Sequence, residues 1–156
     1  MPLLVGQHTN RIDRKGRVSV PKLFRDYYQA KGGFPGVYVY PSPTVAAIEA
    51  CDEQFMDRLA VSLDDLPLYS EEQNDLAAVI LGSAHPLPFD PEGRVVLPAA
   101  LVEHAGLDGE ATFVGRGNTF QVWQPEAYRV HHAEAFHRVR ERKATLSLRR
   151  EPDARP

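Results

Sequence analysis

The sequence predicts an α+β protein in which two similar halves interlock as a pseudo-dimer. A nine-residue motif occurs twice, as DRKGRVSVP at residues 13–21 and as DPEGRVVLP at residues 90–98. The same order of strand, helix, hairpin and helix follows each copy, which indicates an internal structural repeat. Each half has only roughly 60 residues, a length that is marginal for an independent core, so we expect the halves to share one.

The elements of the first half follow from its apolar periodicity. We expect strands at Gln7–Ile12 and Val18–Val20, on either side of the motif's turn. Pro21 then opens a helix that the glycines at 32–33 end. The side chains expected to face inward from this helix are Leu23, Phe24 and Tyr27. A hairpin with a four-residue turn at 41–44 follows, and then a helix over 52–62 with Phe55 and Leu59 inward.

The second half repeats this order. We expect strands at Leu87–Phe89 and Val95–Leu97, a hairpin turn at 116–119, and helices at Pro98–Ala105 and Pro125–Arg142. The inward side chains of these two helices are expected to be Leu101, Val102, Ala105, Tyr128, Ala135 and Val139.

One further helix lies between the halves. Ser70 and Gln73 predict a capping box at its start. Its buried stripe is expected to consist of Leu76, Val79 and Ile80.

Four segments organise the chain. We expect a first repeat at residues 5–50, connecting helices at 51–82, a second repeat at 83–126, and a C-terminal helix with a polar tail at 127–156. The last stretch, 146–156, is polar and contains two prolines, so we expect its end to fray.

Composition restricts the class of protein. With 43% hydrophobic and 25% charged residues, the chain has the make-up of a folded soluble protein. It contains no apolar run of membrane-spanning length, and its first residues lack the pattern of a signal peptide. A single cysteine, Cys51, cannot form an internal disulfide. These features predict a cytoplasmic protein.

Charge is unevenly distributed along the chain, although the net charge is only −3. Residues 1–31 carry seven basic and two acidic side chains, and residues 111–156 carry nine and five. Residues 32–110 carry two basic and fourteen acidic side chains. Such an asymmetry predicts a localised basic surface, suited to nucleic acid, and an acidic middle segment.

The repeated D-x-x-G-R sequence has a definite local chemistry. Glycine permits the positive φ of a tight turn, and the aspartate can accept backbone N–H bonds and orient the arginine. Spacing alone is equally compatible with a turn staple and with a ligand-binding loop. The first copy carries a local charge of +2 and the second a local charge of −1. Extra cations suit a phosphate or guanine contact, so we expect the first loop to face a ligand and the second to be mainly structural.

These residues resemble the MraZ family, bacterial transcriptional regulators of the AbrB-like superfamily. The likeness covers about residues 3–142 and is carried by IDRKGRVSVPKLFR, LGSAHPLPFDPEGRVVLPAALVEHAGL and VGRGNTFQVWQPEAY. The resemblance implies two AbrB-like (SpoVT-AbrB) repeats interlocked as a swapped, double-split β-barrel with flanking helices. It also implies assembly into a ring that binds short direct repeats in double-stranded promoter DNA and represses the chain's own division and cell-wall operon.

The resemblance also indicates the residues that contact DNA. The family's DNA-contacting arginine corresponds to Arg17, with Lys15 and Arg14 beside it, and the second motif's arginine corresponds to Arg94. The set of predicted DNA-binding residues is Arg14, Lys15, Arg17, Lys22 and Arg94. The residues predicted to shape the two loops are Asp13, Gly16, Asp90 and Gly93. We expect Arg94, held by Asp90, to be chiefly structural unless another subunit carries it to the DNA.

Other expectations concern partners. We expect a nucleoid-associated homo-oligomer with no cofactor, no metal, no membrane contact and no small-molecule substrate. The helix near Glu71–Ile80 is acidic, which argues against a DNA contact from that helix. The alternative function is an antitoxin or protein-binding scaffold on the same fold, with the acidic middle segment facing its partner.

An enzyme is not predicted, because each catalytic signal has a simpler interpretation. His131-x-x-Glu134-x-x-His137 lacks a fourth metal ligand and lies in a polar helix. Cys51 starts a helix without a partner histidine, which favours a packed small residue. The Gly-Arg-Gly sequence at 115–117 lies between two strands and therefore predicts a hairpin turn rather than a phosphate loop.

Overall fold

A computed structural model describes residues 3–149 of the chain. Its strands are β1 Gln7–Arg11, β2 Arg17–Ser19, β3 Gly36–Pro41, β4 Ile48–Cys51, β5 His85–Pro88, β6 Arg94–Val96, β7 Glu110–Gly115 and β8 Phe120–Trp123. Its helices are α1 Lys22–Ala30, α2 Glu53–Asp64, α3 Glu71–Ile80, α4 Ala99–Ala105 and α5 Pro125–Arg142. The predicted α+β class is confirmed.

The strands of the two halves pair with each other. Six strands form an antiparallel sheet in the order β1-β7-β8-β4-β3-β5, and β2 pairs with β6 in a separate two-stranded ribbon. First-half β1 lies on second-half β7, with Thr9 opposite Thr112, and second-half β5 lies on first-half β3, with Leu87 opposite Val37. The backbone N–H and C=O groups of each half therefore find part of their hydrogen-bond partners in strands of the other half.

A single main core joins both halves. Phe24 of α1 packs against Phe120 of β8 with ring centroids 5.2 Å apart, and Phe113 of β7 lies 5.8 Å from Phe120. All three rings are fully buried, together with Leu101 of α4. Burial of a large apolar side chain contributes about 1.5–3 kcal/mol, so this cluster is a major source of stability.

A smaller cluster lies beneath α2 and α3. Tyr40, Cys51 and Ile80 are buried there, and the partly buried Phe55, Met56, Leu59 and Leu76 pack against them. The inward positions predicted for Phe55, Leu59, Leu76 and Ile80 are therefore confirmed, whereas Val79 is exposed. The buried stripe of α3 is thus narrower than the sequence predicts.

The inward face of α1 differs from the prediction at one position. Leu23 is 66% exposed, and Tyr28 is buried instead, beside Phe24 and Tyr27. Positions 24, 27 and 28 form the i, i+3, i+4 stripe that faces the core, and Leu23 lies outside it. On α4, Leu101 and Ala105 are buried as predicted, and Val102 packs partly against the core.

The two hairpins differ in loop length. The second turn spans the four predicted residues and is closed by a bond from the Arg116 N–H to the Thr119 carbonyl, 2.8 Å. The first hairpin was predicted to have a four-residue turn, but Pro41 pairs with Ile48 and the loop covers the six residues 42–47. Prolines at 41 and 43 have no N–H to donate, which disfavours a tight hydrogen-bonded turn.

The predicted capping box of α3 forms in part. Ser70 Oγ accepts a bond from the Gln73 N–H at 3.2 Å, as expected of an N-cap. The Gln73 side chain, however, accepts from the N–H of Tyr69 at 2.8 Å rather than from that of Ser70. Tyr69, which donates this bond, has a positive φ of 64°.

The chain divides into two compact units after Pro125. The second unit contains α5, in which no residue is fully buried. The predicted inward position is wrong for Val139, which is exposed, whereas Tyr128 and Ala135 are half-buried and their inward position stays a prediction. A helical period shows which residues share a face, but it does not show whether that face is covered. Residues 144–149 have no regular structure, and the rest of the predicted tail, 150–156, lies outside the described residues.

Candidate nucleic-acid interface

The first loop, residues 13–17, is closed by one carboxylate. Asp13 Oδ1 accepts bonds from the backbone N–H groups of Lys15 and Arg17, both at 2.9 Å. Asp13 Oδ2 accepts from Arg17 Nε at 2.6 Å. Gly16 has a φ of +80°, the conformation that lets the chain turn at this point. The turn thus fixes the direction of the Arg17 guanidinium.

The second loop, residues 90–94, has the same construction. Asp90 Oδ1 accepts from the N–H groups of Glu92 and Arg94 at 2.9 and 2.8 Å, and its Oδ2 accepts from Arg94 Nε at 2.8 Å. Gly93 has a φ of +78°. In both loops, therefore, the aspartate accepts the same three bonds and the glycine has a positive φ, as expected of residues that shape the loop.

Each loop leads into a strand of the two-stranded ribbon, and the strand begins at the arginine itself. Arg17 lies opposite Val96, and Ser19 lies opposite Arg94. Residues opposite one another, or two apart in one strand, share a face. Arg17, Ser19, Arg94 and Val96 therefore form one surface, which we call the arginine face. The intervening Val18 and Val95 point the other way and are buried in the core.

The two arginines of this face differ in their free donors. Arg94 bonds Asp90 through Nε and also forms an ion pair from Nη2 to Glu92 at 3.1 Å. Arg17 bonds Asp13 through Nε, and within residues 3–149 no other acidic group pairs with it. The N–H donors at the end of the Arg17 guanidinium are therefore available to a ligand, whereas Glu92 occupies and partly neutralises Arg94.

The other predicted cations fall into two groups. Arg14 and Lys15 are exposed at the tip of the first loop and form no ion pair with any described residue. Lys22, in the first turn of α1, pairs with Asp26 through Nζ at 2.8 Å. The structure thus brings Arg14 and Lys15 beside Arg17, and leaves Lys22 with its charge already partnered.

Arg25 is a cation of this region that the sequence did not identify. Its Nε donates to the Val20 carbonyl at 2.9 Å, and its side chain lies against Gly93, where an added Cβ would come within 2.5 Å of it. The contact joins residues far apart in sequence, and no motif spacing could have indicated it. Arg25 therefore adds positive charge beside the second loop, which looks acidic in the sequence.

The chain is similar in sequence to proteins of one known family. A family model described as "MraZ protein, putative antitoxin-like" matches residues 80–150. A transcriptional regulator MraZ of Beijerinckia indica is 42% identical over 100% of the chain and 95% of its own length. The chain belongs to the MraZ family. MraZ regulators of Xanthobacter autotrophicus and Gluconobacter oxydans are 40% and 42% identical, over 97% and 100% of the chain and 96% and 94% of their own lengths.

The loop aspartates of this MraZ-family chain have altered acidities. The pKa of Asp13 lies below its ordinary value of 3.8, because the Arg17 backbone N–H and then the Arg17 side chain favour the ionised form. Arg94 lowers the pKa of Asp90 from 3.8 in the same way. A carboxyl whose folded-state pKa is lowered stabilises the fold above its unfolded pKa, and that contribution is lost as the pH falls through the folded value.

We therefore expect the MraZ-family chain to lose stability as the pH falls below about 4, the ordinary range of an aspartate. In Asp13→Asn and Asp90→Asn variants the acid-dependent part of this loss should be smaller, because one titrating group is gone. Urea unfolding followed from pH 6 to pH 2.5 measures this difference. If the free energy of unfolding falls with pH by the same amount in the native chain and in both variants, the expectation is contradicted.

Cys51 is a packed residue, as the sequence indicates. It ends β4, is fully buried, and burial together with the charges of Asp52 and Glu49 raises the pKa of its thiol to about 12. We expect it to react with a thiol reagent at pH 8 at least tenfold more slowly in the native chain than in urea, because the thiolate is the reactive form. Equal rates in both conditions would show that Cys51 is accessible.

The Gly-Arg-Gly sequence lies in a hairpin, and the histidines at 131 and 137 lie on a helix that has no fully buried residue. Gly115 ends β7, and Arg116 and Gly117 lie in the β7–β8 turn, so the predicted hairpin is confirmed. Within residues 3–149, no group of three His, Cys, Asp or Glu side chains is placed to hold a metal ion, and His137 pairs with Glu141 at 3.0 Å. No helix of that part of the chain is both long and apolar enough to cross a membrane.

Proposed function

We propose that the chain is a transcriptional regulator that binds double-stranded DNA in a sequence-specific way through its first loop. One observation carries the proposal: Asp13 orients Arg17 on an outward surface, next to Arg14 and Lys15, which form no ion pair within residues 3–149. The relatives are named transcriptional regulators, which supports the same role here.

The chemistry of Arg17 suits a guanine contact. An arginine with both terminal N–H groups free can bond the O6 and N7 atoms of guanine, and each such pair contributes about 1–3 kcal/mol of discrimination. Arg14 and Lys15 are then placed for neighbouring phosphates, which supply affinity but little specificity. Arg94, paired with Asp90 and Glu92, makes the weaker contact from the same face, and Lys22 adds a phosphate contact only if it leaves Asp26.

Assembly would give these few contacts their strength. We propose a homo-oligomeric ring of nucleoid-associated, cytoplasmic chains that holds several first loops against spaced direct repeats of promoter DNA. Linked binding events raise the overall affinity by about 10²–10⁴ without any new contact. Occupation of the chain's own operon promoter would then repress transcription by steric exclusion, with no catalytic group, cofactor or small-molecule substrate.

The architecture proposed for this function is an AbrB-like swapped barrel. Residues 5–50 and 83–126 would be the two repeats, residues 51–82 the connecting helices, and residues 127–156 the C-terminal segment. The exchange of strands between halves supports this division, since β1 pairs with β7 and β5 pairs with β3.

An antitoxin or scaffold role is the second candidate. The matching family model is described as antitoxin-like, and α3 presents Glu71, Glu72 and Asp75 to solvent. A protein that co-purifies with the native chain, and is lost when these three acids are changed to serine, would favour this role.

A titration of DNA from upstream of the chain's own gene tests the proposed function. Fluorescence anisotropy at 50 and 200 mM salt, with a scrambled duplex of equal length as control, separates specific from non-specific binding. We expect the upstream duplex to bind more tightly at both salt concentrations. Equal binding of both duplexes would reject sequence-specific regulation.

A further inference from the structure

Val96 is the apolar member of the arginine face, at the end of β6. It is 55% exposed, although its neighbour Val95 is buried and supplies the core contact of this strand. The other three members of the face are Arg17, Ser19 and Arg94, all polar. Packing of the core therefore accounts for Val95 but does not account for an apolar residue at position 96.

The side chain of Val96 lies against the first loop. Its cross-strand partner is Arg17, and opposite residues in an antiparallel pair have Cβ atoms only about 4.5–5.5 Å apart. Val96 Cγ1 also lies 3.9 Å from the position of a Cβ on Gly16. Although Val96 belongs to the second half in sequence, its methyl groups are part of the surface around Arg17.

The internal repeat offers a comparison within the same chain. The residue equivalent to Val96 in the first motif is Ser19, the cross-strand partner of Arg94. The glycine of the second loop faces the Arg25 side chain instead of a methyl group. Arg17, whose terminal N–H groups are available, therefore lies beside the apolar Val96. Arg94, which is paired to Glu92, lies beside the hydroxyl group of Ser19.

We propose that Val96 is a specificity residue that contacts the C5 methyl group of a thymine next to the base bound by Arg17. The thymine methyl is the one apolar group that the bases present in the major groove, and it is recognised by apolar side chains. A two-stranded ribbon is narrow enough to enter that groove. This inference rests on the proposed DNA-binding function. A purely local explanation would be the preference of β-branched residues for strands.

A protein–DNA double-mutant cycle tests the contact. The upstream duplex contains the direct repeats that the chain binds. One thymine position at a time is replaced by deoxyuridine in all of the repeats, and this replacement removes only the C5 methyl group. We expect one position at which the native chain loses about fourfold in affinity per box, the loss that corresponds to one buried methyl group. Val96→Ser, which copies the first motif, should lose as much on unmodified DNA and lose nothing further with deoxyuridine there.

Two controls separate the possible failures. Val96→Thr keeps the β-branched shape and one methyl group, so it should unfold at the same temperature as the native chain and keep part of the deoxyuridine sensitivity that Val96→Ser loses, which a mere strand preference does not predict. If deoxyuridine weakens Val96→Ser and the native chain equally, or if no thymine is sensitive, the contact is wrong while the proposed function stands. If the native chain does not distinguish the upstream from the scrambled duplex, the proposed function fails and this inference with it.

Discussion

Arg17→Ala is expected to abolish sequence-specific DNA binding while the chain keeps its fold. The substitution removes the guanidinium that Asp13 orients and that carries the free donors of the first loop. One lost arginine–guanine pair costs about 1–3 kcal/mol, and an assembly loses it in every subunit, so we expect affinity to fall by more than about 100-fold. The measurement is an anisotropy titration with the upstream duplex.

The fold should tolerate this change. The Arg17 side chain is 32% exposed, and a partly exposed ion pair contributes only about 0–1 kcal/mol to stability. Arg94→Ala is the matched control, because it removes the same kind of ion pair from the equivalent position, and we expect its affinity loss to stay below about tenfold. An Arg17→Ala chain that binds normally, or that proves unfolded, would mean that the first loop has a different role.

Gly93→Val is expected to damage the fold itself. Gly93 is buried and has a φ of +78°, and an added Cβ would come within 2.5 Å of the Arg25 side chain. Strain at a positive φ and overpacking each cost about 1–3 kcal/mol, so the expected loss in free energy of unfolding is about 2–6 kcal/mol. Movement of Arg25 would relieve the clash only by breaking its bond to the Val20 carbonyl.

Gly16→Val is the matched control for this prediction. Gly16 has nearly the same φ, +80°, but the nearest atom to an added Cβ is the Leu97 carbonyl oxygen at 3.6 Å. Gly16→Val therefore has the same backbone strain but less crowding, and we expect it to lower the free energy of unfolding by about 1–3 kcal/mol. Urea unfolding of both variants gives the comparison. Equal destabilisation by the two substitutions would show that the packing of Arg25 on Gly93 does not matter.

The local chemistry of the loops could be predicted from the sequence because each loop is a short-range structure. The D-x-x-G-R spacing places a carboxylate within reach of two backbone N–H groups and one guanidinium, and both loops are built in this way. The repeat also predicted the order of elements correctly, since each strand and helix is encoded by its own periodicity.

Long-range contacts could not be predicted in the same way. The sequence favours interlocked halves but does not specify that β1 pairs with β7, because several strands offer similar apolar patterns. The position of Arg25 on Gly93 depends on how α1 docks, and the exposure of Leu23 depends on the same packing. These details arise from tertiary structure, and one of them, the contact of Arg25 with Gly93, is a difference between the two loops.

Site-specific cross-linking tests the central claim, that the first loop contacts the DNA, most directly. Positions 14 and 91 are equivalent in the two motifs, and both are exposed, so a photo-cross-linker can be attached through Arg14→Cys or Pro91→Cys while the buried Cys51 stays unmodified. We predict a strong cross-link to the upstream duplex from position 14 and a much weaker one from position 91. A cross-link from position 14 no stronger than that from position 91 would contradict the assignment of DNA binding to the first loop.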